Sequence, residues 1–354
     1  IAKGLDVRGP IVVFSTYQSS DVIEEALRLS GKKFDLMIAD EAHNTTSLGT
    51  TNFTRPLSDD HIPARKRLFF TATPRVVSKR IKKKAKEADF EVHSMDNVED
   101  YGQVAHRLAF SEAIKKKLLT DYEIVVVGVD DPEIAEGIKD REFLMVDGHS
   151  INAEELAAHI AIHRTMEKKG TRRMLTFHSR VNQAENFSKN IPIVKDWLKK
   201  NRRLHAPKIW GDWVSGKMSV SKREKVLQKL DSLEDGGCGI VSNARCLGEG
   251  VDVPSIDGIS FVQPKRSAID IVQAVGRAIR KSAKKDGVST IILPVPILDS
   301  EDATSTVESS SFETVWRVLE ALRSHDDELS ESLDGLRTQL GEGLQARISV
   351  PKIT

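Results

Sequence analysis

The amino-acid sequence predicts an α/β fold with parallel sheets in two domains and a short helical extension at the C-terminus. Short apolar runs alternate with helical segments along most of the 354 residues, a pattern typical of strand–helix–strand units. Several of these runs end in polar residues, as at 36–39 and 67–70. Because ligands of parallel α/β sheets bind outside the carboxyl ends of the strands, these polar segments indicate a binding site.

The first domain is predicted from three apolar runs that read as strands, namely residues 11–14, 36–39 and 67–70. The first run is expected to be buried and to end in a polar loop at 15–19. Asp21 is expected to cap a helix over 22–29. The other two strands are expected to end at Asp40 and Thr71, which places polar side chains at one sheet edge.

The second domain is predicted from five further apolar runs, at residues 124–127, 174–177, 239–241, 258–262 and 290–293. A basic helix over 111–119 precedes these runs, and an acidic, serine-rich linker at 299–311 follows them. A last helix is expected over 312–322. The predicted domains therefore span residues 1–105, 106–297 and 298–354.

Composition limits the kinds of partner that the chain can have. With 39% hydrophobic and 30% charged residues it is typical of a folded globular protein, and a net charge of +1 requires any nucleic-acid binding to use local patches. Cys238 and Cys246 are too few for a disulfide scaffold and fit a reducing cytosol. No apolar stretch approaches the roughly 20 residues of a spanning helix, so we expect a cytoplasmic protein without a membrane partner.

Residues 40–43 read Asp-Glu-Ala-His at the end of a predicted strand. Mg²⁺ keeps most of its waters and takes one or two carboxylates together with phosphates, so Asp40 and Glu41 suit the binding of Mg²⁺ and the orientation of water. An acidic pair alone is also common in ordinary loops. A Thr-Ala-Thr triplet at 71–73, together with later motifs, favours the chemical interpretation.

A second motif places two arginines in the predicted second domain. Gln273, Gly276, Arg277 and Arg280 fit the spacing Gln-x-x-Gly-Arg-x-x-Arg. Positions i, i+4 and i+7 share one helix face, and the glycine is expected to let another backbone approach closely. A basic helix face is usually only solvated. Here the apolar residues within 269–272 at the start of the helix favour a role in neutralising phosphate.

Other polar segments are weak signals when each is taken alone. The glycine-rich stretch at 243–254, which includes Gly250 and Asp252, allows close approach to a phosphate or a sugar. Residues 15–19 and 178–180 offer hydroxyl, amide and cationic donors of the kind that contact phosphates. Taken alone, each of them is better explained as an ordinary turn or polar loop.

Two patterns resemble ligand-binding motifs but are better explained as parts of the fold. Residues 211–218 nearly spell a phosphate-binding loop, but Met218 replaces the Ser or Thr that binds Mg²⁺, and the segment is expected to cap a helix over 221–230. His159 and His163 have the i, i+4 spacing of metal ligands, yet no third ligand is evident. They are expected to lie on a partly buried helix face.

Together and in this order, the motifs resemble those of superfamily-two helicases of the DEAD/DEAH-box type, which have two RecA-like domains. The chain looks closest to bacterial helicase-like ATPases that include restriction-enzyme motor subunits, over roughly residues 10–295. The resemblance implies ATP and Mg²⁺ as cofactors. It also implies nucleic acid as the partner, with DNA favoured over RNA.

The resemblance assigns a role to each matching residue of the first domain. Asp40 would hold Mg²⁺ through water, and Glu41 would activate the attacking water. His43 would link the ATP site to Thr71 and Thr73, which couple hydrolysis to domain movement.

In the second domain, the resemblance implies that Arg277 and Arg280 act as arginine fingers, so that ATP is hydrolysed at the interface of the two domains. Gly250, Asp252 and Gln273 would line the nucleotide cleft. Four residues would lie along the nucleic-acid path, namely Thr16, Gln18, Ser179 and Arg180.

One expected motif is not matched. The family's Gly-x-x-x-x-Gly-Lys-Thr loop should lie about a hundred residues before Asp40, and 39 residues precede that aspartate here. We therefore expect the first RecA-like domain to be truncated at its N-terminus and the chain alone to be inactive. Two alternatives stay open: a non-hydrolysing nucleic-acid-binding or scaffold module, and a motor subunit of a larger restriction or defence complex.

Overall fold

The computed structural model describes residues 1, 4–5, 9–49, 51–88, 90–129, 131–140, 142–201, 208–234, 236–244, 255–263, 267–283, 285, 287–296, 313–331 and 333. The chain divides into two compact units, Ile1–Arg107 and Leu108–Thr354. Within the described residues, no helix is both long and apolar enough to cross a membrane.

The first unit is built around a short parallel strand pair. Its helices and strands, in chain order, are α1 (Ser20–Ser30), β1 (Met37–Ala39), β2 (Ser47–Leu48), β3 (Arg67–Phe69), α2 (Lys79–Glu87), β4 (Val92–His93) and α3 (Val98–Tyr101). Strands β1 and β3 are parallel, with Ile38 opposite Leu68, and β2 pairs antiparallel with β4. The parallel pair places the residues after Ala39 and Phe69 at the same sheet edge, as predicted.

Two sequence-based expectations for this unit are wrong. Residues 11–14 form no strand, and Val12 and Phe14 are 74% and 92% exposed. An apolar run becomes a strand only where a neighbour completes its backbone hydrogen bonds, and no described strand pairs with this one. Asp21 does not cap α1, because Ser19 occupies the N-cap position and Asp21 lies in the first turn, where its Oδ1 accepts from Val22 N at 2.9 Å.

The second unit contains a six-stranded parallel sheet, which confirms the predicted α/β class. Its elements are α4 (Phe110–Lys115), β5 (Tyr122–Val129), α5 (Pro132–Lys139), β6 (Phe143–Val146), β7 (His149–Asn152), α6 (Ala153–Lys169), β8 (Arg173–His178), α7 (Val181–Asn201), β9 (Ile209–Ser215), α8 (Val220–Asp231), β10 (Cys238–Ala244), β11 (Gly258–Phe261), α9 (Ala268–Ala278), β12 (Ser289–Pro296) and α10 (Glu313–Arg323). The strand order is β5-β12-β11-β8-β10-β9, and β6 and β7 form a separate antiparallel hairpin. All carboxyl ends of the main sheet therefore lie at one edge.

Alternating side chains of this sheet pack against helices on its two faces. Leu175 and Ile291 belong to a core that also contains apolar residues of α8, α9 and α10. Their chain neighbours Met174 and Ile292 belong to a second core, with residues of α6 and α7. The sheet is thus covered on both faces, which explains why its central strands are mostly apolar.

The loop after α10 is fastened to the sheet by a buried hydrogen bond. The Tyr122 hydroxyl donates to Asp326 Oδ2 at 2.7 Å, and both residues are fully buried. Burial, followed by the hydrogen bond and charge of Asp326, raises the pKa of Tyr122. The predicted last helix is confirmed, and it belongs to the core of the second unit because Val318 and Leu322 are buried there.

The strand β9 contains the segment that resembles a phosphate-binding loop. Gly211 lies within the strand, and a Cβ built on it would come within 2.7 Å of Ile191 Cδ1. The glycine therefore allows α7 to pack closely on β9. Ser219 caps α8, as expected for this segment, because its side chain accepts from Lys222 N.

Candidate functional site

The acidic turn at 40–43 follows β1 directly and is held in an unusual conformation. Glu41 has φ 48° and ψ 46°, in the left-handed region that side chains other than glycine rarely adopt. Ala42 N donates to Phe70 O at 2.8 Å, which fixes the turn against the end of β3. Such strained residues cost about 1–3 kcal/mol and persist where surrounding contacts enforce them, often at functional sites.

The two carboxylates of this turn are available to a ligand. Asp40 is exposed, and its Oδ1 accepts from Glu41 N at 2.9 Å. The Glu41 side chain is 39% exposed, although its Oε2 is shielded from solvent and lies against His43. Carboxylate oxygens are the ligands that Mg²⁺ and its bound waters prefer, so the pair fits a hydrated Mg²⁺ ion.

His43 connects the acidic turn to the threonines that follow β3. The side chain is buried, and its Nδ1 lies 3.3 Å from Glu41 Oε2 and 3.1 Å from Thr71 Oγ1. The Thr73 hydroxyl is 3.5 Å from the same nitrogen, and Thr73 N donates to Thr71 Oγ1 at 3.0 Å. The structure therefore brings Asp40, Glu41, His43, Thr71 and Thr73 together.

The loop at 15–19 lies against the same turn, through a residue that the motif analysis did not single out. The Tyr17 hydroxyl donates to Asp40 O at 2.6 Å, whereas Thr16 and Gln18 on either side of it are exposed. Burial, and then the negative charges of Asp40 and Glu41, raises the pKa of Tyr17 to about 12. The sequence feature that could have identified this residue is a tyrosine placed between polar residues at the end of a predicted strand.

In the second unit, the carboxyl end of β8 leads from buried to exposed residues. Thr176 and His178 are buried, and their Oγ1 and Nε2 atoms are 2.9 Å apart. Ser179 is half-buried and Arg180 is exposed immediately before α7 begins. The two predicted nucleic-acid residues therefore lie where side chains become accessible.

Gln273 and Arg277 lie on α9, both half-buried, but Arg280 does not share their helix face. The helix ends at Ala278, and Arg280 instead pairs with Leu119 in an isolated antiparallel bridge. The expectation of one face over all three residues is therefore wrong for Arg280. Periodicity applies only while the helix continues.

The end of α9 is set by donors from other parts of the unit. Thr120 N donates to Ile279 O at 2.8 Å, and Ser289 Oγ donates to Ala278 O at 2.9 Å. The buried Lys285 ammonium also donates to Ala278 O. Burial lowers the pKa of Lys285 to about 8, against an opposing effect of Asp257. These donors satisfy carbonyls that would otherwise lack partners at a helix end.

Within the part of the chain that the structure describes, no second backbone approaches Gly276 as expected. Among the described residues, the only atom within 4 Å of a Cβ built on Gly276 is Phe110 Cζ, at 3.9 Å. An aromatic side chain, rather than a second backbone, therefore faces this glycine. Gly250 and Asp252 lie outside the described residues.

Comparison with protein families places both motif groups in known domains. Residues 154–282 match the family described as "Helicase conserved C-terminal domain", and residues 8–76 match "Type III restriction enzyme, res subunit". The first match contains α9 and the end of β8, and the second contains the acidic turn and the threonines after β3.

Individual relatives agree with these families. A protein of African swine fever virus (isolate Pig/Kenya/KEN-50/1950) described as a probable helicase is 26% identical over 340 residues, which is 94% of this chain and 33% of the relative. The structure of the ATP-dependent Type ISP restriction-modification enzyme LlaBIII bound to DNA superposes with a TM-score of 0.73 and 30% identity, over 96% of this chain and 23% of that enzyme. A nuclease-deletion mutant of the Type ISP enzyme LlaGI, in complex with a DNA substrate mimic, gives a TM-score of 0.55 and 26% identity, over 93% and 20%. This chain spans about a third of the length of the curated relative.

Proposed function

We propose that this chain, which belongs to the superfamily-two helicases, is the motor part of an ATP-dependent nucleic-acid helicase or translocase. The observation that carries the proposal is the cluster at one sheet edge, where His43 Nδ1 lies within 3.5 Å of oxygens of Glu41, Thr71 and Thr73. The buried histidine joins the acidic pair at the end of one strand to the threonines after the next strand. This arrangement suits a reaction that is coupled to a change in the conformation of the domain.

Within this proposal the chemistry is phosphoryl transfer from ATP to water, for which Mg²⁺ would supply charge neutralisation when bound. Asp40 would hold Mg²⁺ through water. Glu41 would orient the attacking water and accept its proton through its carboxylate, whose Oε2 lies 3.3 Å from His43 Nδ1. His43 would couple a change in the position or charge of this carboxylate to Thr71 and Thr73.

For the second unit, we propose that Arg277 and Arg280 stabilise the charge that develops on the transferred phosphate. Gln273, Gly250 and Asp252 would contact the nucleotide. In domain terms, residues 1–105 would be part of a first RecA-like domain and 106–297 a second. Residues 298–354 would be a linker and a helical extension.

The nucleic acid would contact Thr16 and Gln18, which are exposed in the segment at 15–19, and Ser179 and Arg180, which are half-buried and exposed after the end of β8. DNA is favoured over RNA because both restriction enzymes that resemble the chain are described in complex with DNA or its mimic. The same likeness supports membership of a larger restriction or defence complex, in the cytoplasm.

The test is ATP hydrolysis by the protein at its natural full length, alone and with single-stranded DNA, duplex DNA or RNA. We expect stimulation by DNA. Glu41→Gln should reduce turnover by roughly 10²–10⁴-fold, because it removes a general base at nearly constant shape. Arg277→Ala should likewise abolish turnover and leave the fold intact.

The matched control is Glu25→Gln, because Glu25 is an exposed carboxylate on α1 that pairs with Arg28. This variant should keep full turnover. Normal turnover in Glu41→Gln would refute the assigned role. A folded wild-type protein that binds nucleic acid and hydrolyses no ATP would favour the alternative of a non-hydrolysing binding or scaffold module.

A further inference from the structure

Tyr17 stands between the loop proposed to touch nucleic acid and the turn proposed to handle water. Its hydroxyl donates to Asp40 O at 2.6 Å across 23 positions of sequence. We propose that Tyr17 is a positioning residue that transmits contact of nucleic acid with Thr16 and Gln18 to the Glu41 carboxylate. This inference rests on the proposed function.

The carbonyl that Tyr17 binds belongs to the peptide unit between Asp40 and Glu41. Rotation about the next bond is the φ angle of Glu41, which is held at 48° in the left-handed region. Because the peptide is planar, a restraint on its oxygen fixes the plane from which that rotation is measured. The Tyr17 hydroxyl therefore helps to set the direction in which the Glu41 side chain leaves the backbone.

Tyr17 is itself held firmly on its other side. Its ring stacks on Phe53, with 5.8 Å between centroids and 19° between planes. Asn52 Nδ2 donates to Gln18 O at 2.8 Å, which ties the neighbouring residue to the same segment. A contact that displaces the exposed side chains of Thr16 or Gln18 should therefore also displace Tyr17, because these contacts hold the segment together.

The hydroxyl also keeps its donor role near neutral pH, because an ordinary tyrosine pKa is near 10 and burial raises the pKa of Tyr17 further. A phenol that stays protonated can donate to a carbonyl at every pH near neutrality, whereas a phenolate cannot. The contact is thus sensitive to geometry rather than to pH.

Tyr101 offers a matched comparison in the same unit. Its hydroxyl bonds Thr45 Oγ1 at 2.8 Å, and its ring meets the edge of Phe69 at 5.1 Å. Both tyrosines are partly buried and hydrogen-bonded, but Tyr101 meets the acidic turn only through Thr45, whose hydroxyl donates to Ala42 O at 2.7 Å, and it does not bind the Asp40 carbonyl. Loss of either hydroxyl should have a similar effect on stability, and only the loss at Tyr17 should affect the acidic turn directly.

The experiment compares Tyr17→Phe and Tyr101→Phe in the full-length protein. It measures ATP turnover against the concentration of single-stranded and duplex DNA, together with thermal unfolding. We expect Tyr17→Phe to lower the maximal DNA-stimulated turnover about 5- to 10-fold, which corresponds to about 1–1.4 kcal/mol in the barrier. The DNA concentration for half-maximal stimulation should change less than about twofold, since one hydrogen bond to the backbone contacts no DNA.

Three results would overturn the inference. Maximal turnover of Tyr17→Phe equal to that of wild type, in a wild type that DNA stimulates, would refute the inference alone. An equal loss in Tyr101→Phe would show that the effect is not specific to the hydrogen bond with the Asp40 carbonyl. A wild-type protein that DNA does not stimulate would refute the proposed function and this inference together.

Discussion

Three buried histidines should make the second unit sensitive to mild acid. His159 and His163 lie on α6, and His178 ends β8; all three are almost completely buried. His159 stacks on Phe187 with 3.7 Å between ring centroids, so the cluster is more deeply buried than the partly exposed helix face expected from the sequence. Burial lowers the pKa of His163 and of His178 to about 3 and lowers the pKa of His159 as well.

The sign of the effect follows from the number of protons bound in each state. The unfolded chain has histidine pKa values near 6.5, so below that pH it binds protons that the folded unit does not. Stability is therefore full above pH 6.5 and falls as the pH decreases towards the folded-state value of about 3. Nearby charges modify this: Glu155, 3.6 Å from His159, favours its protonated form, whereas Lys195 opposes protonation of His163.

The magnitude can be worked from these values. At pH 5.5, each group whose pKa falls from about 6.5 to about 3 costs on the order of 1 kcal/mol of unfolding free energy. His163 and His178 together give on the order of 3 kcal/mol. Folded domains have about 5–15 kcal/mol in total, so the loss should be large. It corresponds to a decrease of about 1–3 M in the urea midpoint.

Tryptophan fluorescence measures this unit selectively. All four tryptophans of the chain lie in the second unit, at Trp197, Trp210, Trp213 and Trp316. Urea unfolding would be followed at pH 7.5, 6.5 and 5.5 for the wild type and for His163→Leu. This substitution removes one titrating group and fills the buried position with an apolar side chain. The control is His149→Asn, an exposed histidine of the β6–β7 hairpin.

We expect the midpoint to fall between pH 7.5 and pH 5.5 in the wild type and in the control, and to fall by about half as much in His163→Leu. Equal midpoints at the three pH values would show that the histidines are not held neutral by burial. The same decrease in His163→Leu as in the wild type would assign the acid sensitivity to other groups.

Two further changes should destabilise the second unit, each measured by tryptophan fluorescence in urea. Gly211→Ala should cost about 1–3 kcal/mol because the new methyl would meet Ile191 Cδ1, and Ile191→Val in the same chain should recover part of the loss; no recovery would contradict the packing role. Tyr122→Phe should cost about 1–3 kcal/mol by removing the buried hydrogen bond to Asp326, and an unchanged midpoint would show that this bond contributes little.

The sequence allowed most of the second unit to be predicted, because buried parallel strands are apolar on both faces. The runs at 174–177 and 290–293 are therefore visible as strands. Strand β9 was missed because Gly211 and Asp212 interrupt its apolar pattern, and it lies at the sheet edge, where such residues are tolerated. A close approach of α7, rather than the strand's own preference, explains the glycine.

The sequence contains a pattern that predicts the β6–β7 hairpin, although the hairpin was not among the expected elements. Asp147 and Gly148 connect its strands and have φ values of 45° and 81°. An Asp-Gly pair between two strand-forming runs is a strong short-range sign of a tight hairpin turn. The hairpin was therefore predictable from local chemistry, unlike β9.

For the candidate site, sequence reasoning identified motif residues but could not determine how they are held. The contact between Tyr17 and Asp40 depends on how a loop folds across 23 positions, which no local pattern encodes. Arg280 shows the opposite error, because its spacing from Arg277 suggested a shared face. The donors at the end of α9 decide where the helix stops, and one of them, Thr120, is far away in sequence.

In both units, the strand before a motif ends in a buried residue that is followed by accessible polar residues, and this explains why the motifs lie where they do. In the first unit, buried Ala39 is followed by exposed Asp40; in the second, buried His178 is followed by half-buried Ser179 and exposed Arg180. A buried residue at the end of a paired strand is held by backbone hydrogen bonds and by packing, so the first accessible residue after it has a well-defined position while remaining open to a ligand. Reactive groups placed one residue earlier would be enclosed by the core, and groups placed several residues later would depend on the loop for their position.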